Sequence, residues 1–323
     1  MFIVTGGAGF IGSNLVAGLA KFKPNTPICV IDHLGKAQKW QNLAGVRVSH
    51  IVQPRKMMDF LDQHQMDIEA VFHMGACSST TEENVDYIIR NNFTLSLKLW
   101  EWCSLHQKIF IYASSAATYG DGSQGFKDDQ TIEYLDRLRP LNPYGWSKAL
   151  TDSEFMRRAH SGHAPPIWMG LKFFNVYGPN EAHKGGQRSV AHQMFEQIES
   201  TGAVNLFKSA HPDYEDGGQK RDFVYVQDCV DAMLYPIHGK SIKNGIYNMG
   251  SGKARSFLDL AHACFAAFDQ TPKINWIDTP PNIAQHYQYF TEAQMGSFIS
   301  SLSQTTLEAG IKAYAAHYLG NKA

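Results

Sequence analysis

Met1-Phe-Ile-Val-Thr-Gly-Gly-Ala-Gly-Phe-Ile-Gly-Ser-Asn14 runs from an apolar strand into a turn of spaced glycines and then into a helix. Phe2–Val4 reads as the strand, and the helix begins near Phe10. Gly6 suits the tight turn, Gly9 lets the backbone approach a pyrophosphate, and Gly12 lets the helix pack closely on the sheet. The free N–H groups of the helix start then form the anion seat. A glycine triplet alone is weak evidence, and a Gly-rich turn without ligand is the plainer alternative. The strand before it and the helix after it are the context that favours dinucleotide binding.

The acidic partner expected about twenty residues later is Asp32, at the end of a second buried strand, Ile28–Ile31. A carboxylate there can hold the adenosine ribose hydroxyls. His33, Lys36 and Lys39 follow, and cations near that point favour a 2′-phosphate. The choice therefore tips toward NADP, with NAD the alternative.

Apolar runs alternate with helical stretches through the first half. Val71–His73, Lys108–Ala113 and Ile167–Phe173 read as strands, and Glu82–Leu105 and Tyr144–Arg158 as helices. This rhythm predicts an α/β fold, a Rossmann-type doubly wound parallel sheet with a smaller mixed α/β substrate-binding lobe. After Asn175 glycines, prolines and polar residues surround one helix, Ser189–Thr201. The segments 223–226 and 227–237 read as a return to the main layer. A strand at Ile274–Ile277 follows, and Thr305-Thr-Leu-Glu308 has capping-box spacing before a last helix. The expected division is 1–174 plus about 223–250 for the dinucleotide, and 175–222 plus about 251–323 for the substrate.

At 323 residues the chain buries a good core, and 44% hydrophobic with 18% charged is an ordinary globular balance. A net charge of −1 gives no basic field for nucleic acid or an anionic membrane. No segment reaches the length of a membrane span, and the start lacks the charged and apolar regions of a secretory signal. Cys29, Cys77, Cys103, Cys229 and Cys264 are odd in number and scattered, which fits reduced thiols in a cytoplasmic protein and gives no metal site.

Chemistry enters with Tyr144-Gly-Trp-Ser-Lys148, after Pro140-Leu-Asn-Pro143. Tyr and Lys at i and i+4 share one helix face. Lys148 can lower the phenol pKa of Tyr144 and also hold the nicotinamide ribose. Such pairs arise often on surface helices by chance. Here Tyr112-Ala-Ser-Ser-Ala-Ala-Thr-Tyr-Gly120 lies at the C-terminal end of a predicted core strand, where open α/β sheets place ligands. Its hydroxyls, Ser114, Ser115 and Thr118, either satisfy their own turn or bind a reacting alcohol. Next to Tyr144 and Lys148 the second role is favoured, with Ser115 as the catalytic hydroxyl.

The cofactor loop, the Ser and the Tyr-Lys pair together resemble the extended short-chain dehydrogenase/reductase family, whose members mostly act on nucleotide-activated sugars. The dehydratases of that family carry an Asp-Glu pair where this chain has Ala116-Ala117, so the resemblance disfavours dehydration. His73-Met-Gly-Ala-Cys-Ser-Ser-Thr-Thr-Glu82, Phe174-Asn-Val-Tyr-Gly-Pro179, Glu181-Ala-His-Lys-Gly185 and Lys220-Arg-Asp-Phe-Val-Tyr-Val226 are similar to its epimerases acting on ADP-heptose. The likeness spans nearly the whole chain.

That resemblance implies inversion of the heptose C6 by transient oxidation and reduction on tightly bound NADP, in building the lipopolysaccharide inner core. It implies Lys184 as a second acid/base opposite Tyr144. From residue type alone Lys184 is a phosphate-binding or solvated loop lysine. The implied cofactor residues are Gly6, Gly9, Phe10, Ile11, Gly12, Asp32, His33, Lys39, Met74, Gly75, Ala76, Cys77, Ser78, Asn91, Lys148 and Val176. The implied substrate residues are Ser78, Ser115, Asn175, Lys184, Gly186, Gln193, Phe207, Arg221 and Tyr287. Arg221 suits the ADP phosphates, since a guanidinium pairs with them bidentately. Gln193 stands where some members have a His, Gly186 replaces a Ser, His286 stands where some members have an Arg, and 208–219 is a long loop. Arg55 and Lys56 are both candidates for a cofactor cation after the third strand. The resemblance also implies a homo-oligomer, a pentamer. The alternative enzyme is another nucleotide-sugar epimerase, such as a UDP-hexose 4-epimerase. A non-catalytic nucleotide-binding scaffold is the alternative of a different class, which the intact Ser115, Tyr144 and Lys148 disfavour.

Overall fold

A computed structural model of the chain describes residues 1–35, 38–209, 211–280 and 288–320. Seven strands build the main sheet: β1 (Phe2–Thr5), β2 (Ile28–Ile31), β3 (His50–Val52), β4 (Ala70–His73), β5 (Ile109–Ser115), β6 (Trp168–Phe173) and, after three strands of other sheets, β10 (Gly245–Met249). Their order is β10-β6-β5-β4-β1-β2-β3. The paired strands from β6 to β3 are parallel, with Phe2 opposite both Ile28 and Ala70 and Thr5 opposite both Ile31 and His73. Four-residue runs such as Phe-Ile-Val-Thr and Ala-Val-Phe-His are buried throughout, as strands covered on both faces must be. The chain winds outward from β1 in both directions, so β1 and β4 flank the switch point where such sheets bind ligands. This is the expected Rossmann-type arrangement.

The helix Phe10–Phe22 follows the glycine turn as expected. The helix Pro143–His160 starts on Asn142, whose side chain accepts from Gly145 N–H at 2.8 Å, with Pro143 at the first helical position. The long helix expected over 82–105 is different. It begins at Val85, capped by Asn84, and is interrupted by a π-helical stretch, Ile89–Thr94, before α-helix resumes at Leu95–Leu105. At its end Leu95 N–H bonds back to Arg90 C=O, five residues earlier.

The chain divides into two compact units, 1–173 with 229–248 and 174–228 with 249–323. The return to the first unit therefore comes at Cys229, later than the expected 223. The reason is strand pairing. β9 (Lys220–Tyr225) lies between β7 (Asn175–Tyr177) and β11 (Ala254–Ser256), with Phe223 opposite Asn175 and Tyr225 opposite Tyr177. A second pair, β8 (Val204–Phe207) and β12 (Ile274–Ile277), is parallel. The helices Val190–Thr201, Phe257–Ala267 and Leu307–Gly320 close the core of this unit around Phe195, Ile198, Phe265, Ile311 and Tyr314. A capping box forms at Ser256 and Asp259. The one expected at Thr305 does not, because buried Asp228 takes both Thr305 N–H (3.0 Å) and its hydroxyl (2.6 Å). Thr306 caps instead, accepting from Ala309 N–H. Among the described residues no helix is long and apolar enough to cross a membrane, and no cluster of metal-ligating side chains occurs.

Candidate active site

The sheet's C-terminal edge carries the turn after β1, Asp32 after β2 and the segment Met74–Ser78 after β4. Gly6 turns the chain at φ +64°, donating its N–H to Ile31 C=O at 2.8 Å. A Cβ on it would stand 2.7 Å from Gly75 Cα and N. The two loops thus meet with no side chain between them, the bare backbone cradle that a pyrophosphate needs. A Cβ on Gly12 would collide with Gly6 C=O, so this glycine lets the helix sit down on the turn. Gly9 caps the helix without a side chain, placing Phe10 and Ile11 in its first turn.

Asp32 closes β2. Its Oδ2 accepts from Ala8 N–H (2.9 Å), and its Oδ1 from His33 N–H (2.7 Å) and Lys39 Nζ (2.5 Å). Lys39 and Asp32, read separately in the sequence, are an ion pair. Arg55 and Lys56 are both exposed, on a short turn after β3.

Beyond β4 the segment Met74–Ser78 is held by a relay of side chains. Gly75 N–H donates to Thr5 Oγ1 at 3.0 Å, and Thr5 Oγ1 meets His73 Nδ1 at 2.7 Å. His73 Nε2 meets Ser96 Oγ at 2.8 Å, and Ser96 donates to Asn92 C=O at 2.6 Å. Since Ser96 gives its proton to Asn92, Nε2 carries the imidazole hydrogen and Nδ1 accepts. Burial, then the Lys148 charge, push His73 down to about 3, so it is neutral. The side chain of Asn92 finishes the job. Its Oδ1 accepts from Cys77 N–H (2.8 Å), and its Nδ2 donates to Cys77 C=O (3.0 Å) and Ser147 Oγ (3.0 Å). Ser147 in turn donates to Tyr144 C=O at 2.7 Å. Asn91, the residue singled out in the sequence, donates its Nδ2 to Tyr87 C=O. Asn92 is the fully buried one of the pair.

Tyr144 and Lys148 lie one turn apart on the helix Pro143–His160, and Ser115 ends β5. A hydrogen bond joins the Tyr144 phenol and the Ser115 hydroxyl. Ser115 also accepts from Ala117 N–H at 3.1 Å. Lys148 is buried and donates to Ala113 C=O at 2.7 Å. Burial lowers it to about 8, against the Asp152 charge. The phenol departs from expectation. Burial holds Tyr144 above its ordinary value, the Ser115 bond only partly opposes this, and the negative charge of Asp152 adds to the rise. The hydroxyl is therefore protonated at neutral pH. Asp152, not foreseen, accepts from Tyr112 (2.9 Å) and Ser114 (2.7 Å) and pairs with buried Lys172 at 3.3 Å.

In the second unit Lys184 and Gly186 lie on the short helical loop Ala182–Gln187. Burial lowers the Lys184 amine, with Glu181 opposing. Gln193 donates to Arg188 C=O at 2.9 Å. Asn175 and Val176 lie on β7, and buried Arg221 lies on β9 with its guanidinium 5.7 Å above the Phe257 ring. Phe207 ends β8, in a different sheet. Tyr287 and His286 lie outside the described residues.

A sequence profile of the NAD dependent epimerase/dehydratase family matches residues 2–250. The chain is 47% identical to the ADP-L-glycero-D-manno-heptose-6-epimerase of Nitratidesulfovibrio vulgaris strain Hildenborough, over 99% of this chain and 98% of that protein. It is 40% identical to the protein of that name from Fusobacterium nucleatum, over 100% and 99% of the two. The crystal structure of Helicobacter pylori ADP-L-glycero-D-manno-heptose-6-epimerase matches with a TM-score of 0.79 at 27% identity, over 98% and 95% of the two chains.

Proposed function

The chain belongs to the NAD dependent epimerase/dehydratase family, within its ADP-L-glycero-D-manno-heptose-6-epimerase group, and we propose that it inverts C6 of ADP-D-glycero-D-manno-heptose by transient oxidation and reduction. The near-full-length likeness to enzymes of that name carries the substrate assignment. No comparable feature favours a UDP-hexose.

NADP fits the first unit. The Gly6–Gly75 cradle takes the pyrophosphate, and Asp32 faces the ribose. Lys39 offsets the Asp32 charge that would repel a 2′-phosphate, which supports NADP over NAD. When bound, the nicotinamide supplies a hydride acceptor and returns the same hydride.

The side chains manage the proton. Oxidation removes the C6 O–H proton along with the C–H hydride, and reduction returns both to a planar ketone. Inversion requires return to the opposite face. A phenol held above its ordinary pKa is a protonated donor at neutral pH and a strong base once ionised, which suits Tyr144 to one face. Ser115 orients the reacting oxygen through its bond to that phenol. Lys148, lowered only to about 8, stays charged at neutral pH one helical turn along. Lys184, with an amine lowered by burial, serves the other face.

The test is turnover of ADP-D-glycero-D-manno-heptose followed by NMR at C6. Both epimers should accumulate to equilibrium with no net loss of NADPH. Stoichiometric NADPH consumption, or faster turnover of UDP-hexoses, would overturn the assignment.

A further inference from the structure

Glu181 is a carboxylate only 1% exposed, three residues before Lys184. Its Oε2 accepts from Ser189 N–H at 2.5 Å and its Oε1 from the Ser189 hydroxyl at 2.6 Å. Gly178 N–H lies 3.5 Å from Oε1, and the Tyr314 hydroxyl also bonds the carboxylate. One side chain therefore ties residues on both sides of the segment 182–188. Within that segment Lys184 N–H donates to Glu181 C=O at 3.0 Å, and Arg188 Nε to Gly185 C=O at 2.6 Å.

The support extends inward. His192 Nδ1 meets the Tyr314 hydroxyl at 2.6 Å. With the Tyr314 proton given to Glu181, Nδ1 is the donor in that contact. The charged and titratable groups around the carboxylate are His183, Lys184 and Arg188 on the loop. Tyr314 bonds it from the last helix, and His192 on the next helix reaches it through the Tyr314 hydroxyl. Arg188 pairs with Glu196. A deeply buried carboxylate with this many donors is costly to maintain for packing alone.

We propose that Glu181 is the positioning residue for Lys184, closing the neck of its loop and keeping a negative charge near its amine. The proposal rests on Lys184 being the second acid–base group.

The test separates the two ideas. In the NADP-loaded enzyme, competitive acetylation of Lys184 across pH, read by mass spectrometry, titrates its amine whether or not it is catalytic. Glu181→Gln keeps the shape and removes the charge. The Lys184 midpoint should fall by on the order of one pH unit, and kcat should fall about ten- to a hundredfold through lost orientation. Glu181→Asp should keep the midpoint while still losing kcat, because the charge stays and the reach shortens. Ser189→Ala deletes one donor and should lose kcat with a smaller midpoint change, which covers the case of a Gln variant that does not fold. An unmoved midpoint in the Gln variant, or an unchanged kcat, would overturn the clamp. Lys184→Met with near-normal epimerisation would overturn the two-base reading itself.

Discussion

His73 carries a stability consequence that its position in the sequence conceals. Its partners Thr5 and Ser96 are distant in the chain, so only the register of β1 against β4 and the packing of the helix Leu95–Leu105 bring the relay into being. A histidine held neutral down to about pH 3 keeps the proton off, while the unfolded chain takes it up near the ordinary value of about 6.5. The unfolded state therefore binds more protons between those limits, and stability falls as pH falls through that window. The slope from this residue reaches at most about 1.4 kcal/mol per pH unit. Urea midpoints compared near neutrality and near pH 5 should drop for the native protein and drop less for His73→Gln. Equal slopes in the two proteins would remove His73 as the cause. The glycines and Asp32 were legible because each does a local job set by the turn itself. The Lys39 ion pair was not, since no rule of spacing joins a strand end to a loop lysine seven residues on.

Strands β1, β2, β4, β5 and β6 follow from continuous apolar runs and match the sequence reading, whereas β3, β10 and the helix Met57–Gln63 went unread. The π-helical stretch Ile89–Thr94 also went unread, because hydrophobic period is insensitive to one extra residue in a turn. The available signal was Asn91-Asn92, two poor helix formers in mid-helix. Such stretches recur at functional sites, and this one presents the Asn92 side chain to Cys77 and its carbonyl to Ser96. Asn92→Ala removes the three side-chain bonds and strands Cys77 N–H. The expected cost is about 2–4 kcal/mol of stability, with weaker dinucleotide binding, since the 74–78 segment loses its anchor. Denaturant melts and dinucleotide titration check this, and near-native values for both would refute the anchoring role. In the second unit strands of three residues, such as β7 and β11, lie below what alternation can mark. Thr305 was misread because its hydroxyl answers a buried aspartate rather than its own helix.

At the scale of the whole molecule, a ligand that binds only the folded state stabilises it by mass action. A nicotinamide dinucleotide at about a hundred times its Kd should add about 2.7 kcal/mol, a hundredfold against opening. The thiols make this measurable. Cys29, Cys103 and Cys229 are buried in the first unit and Cys264 in the second, and burial pushes Cys29 up to about 12 and Cys103 and Cys264 higher still. Such thiols are inert until the surrounding structure opens. Alkylation of Cys29 and Cys103 should slow about a hundredfold with the bound dinucleotide, and an unchanged rate would show that the dinucleotide does not hold the first unit closed. Cys77, only partly buried in the 74–78 segment, marks the fast limit. The scattered cysteines thus act as clocks wired into separate parts of one chain. Equal slowing at Cys264 would mark a single cooperative block, and unequal slowing two blocks that fail at different times.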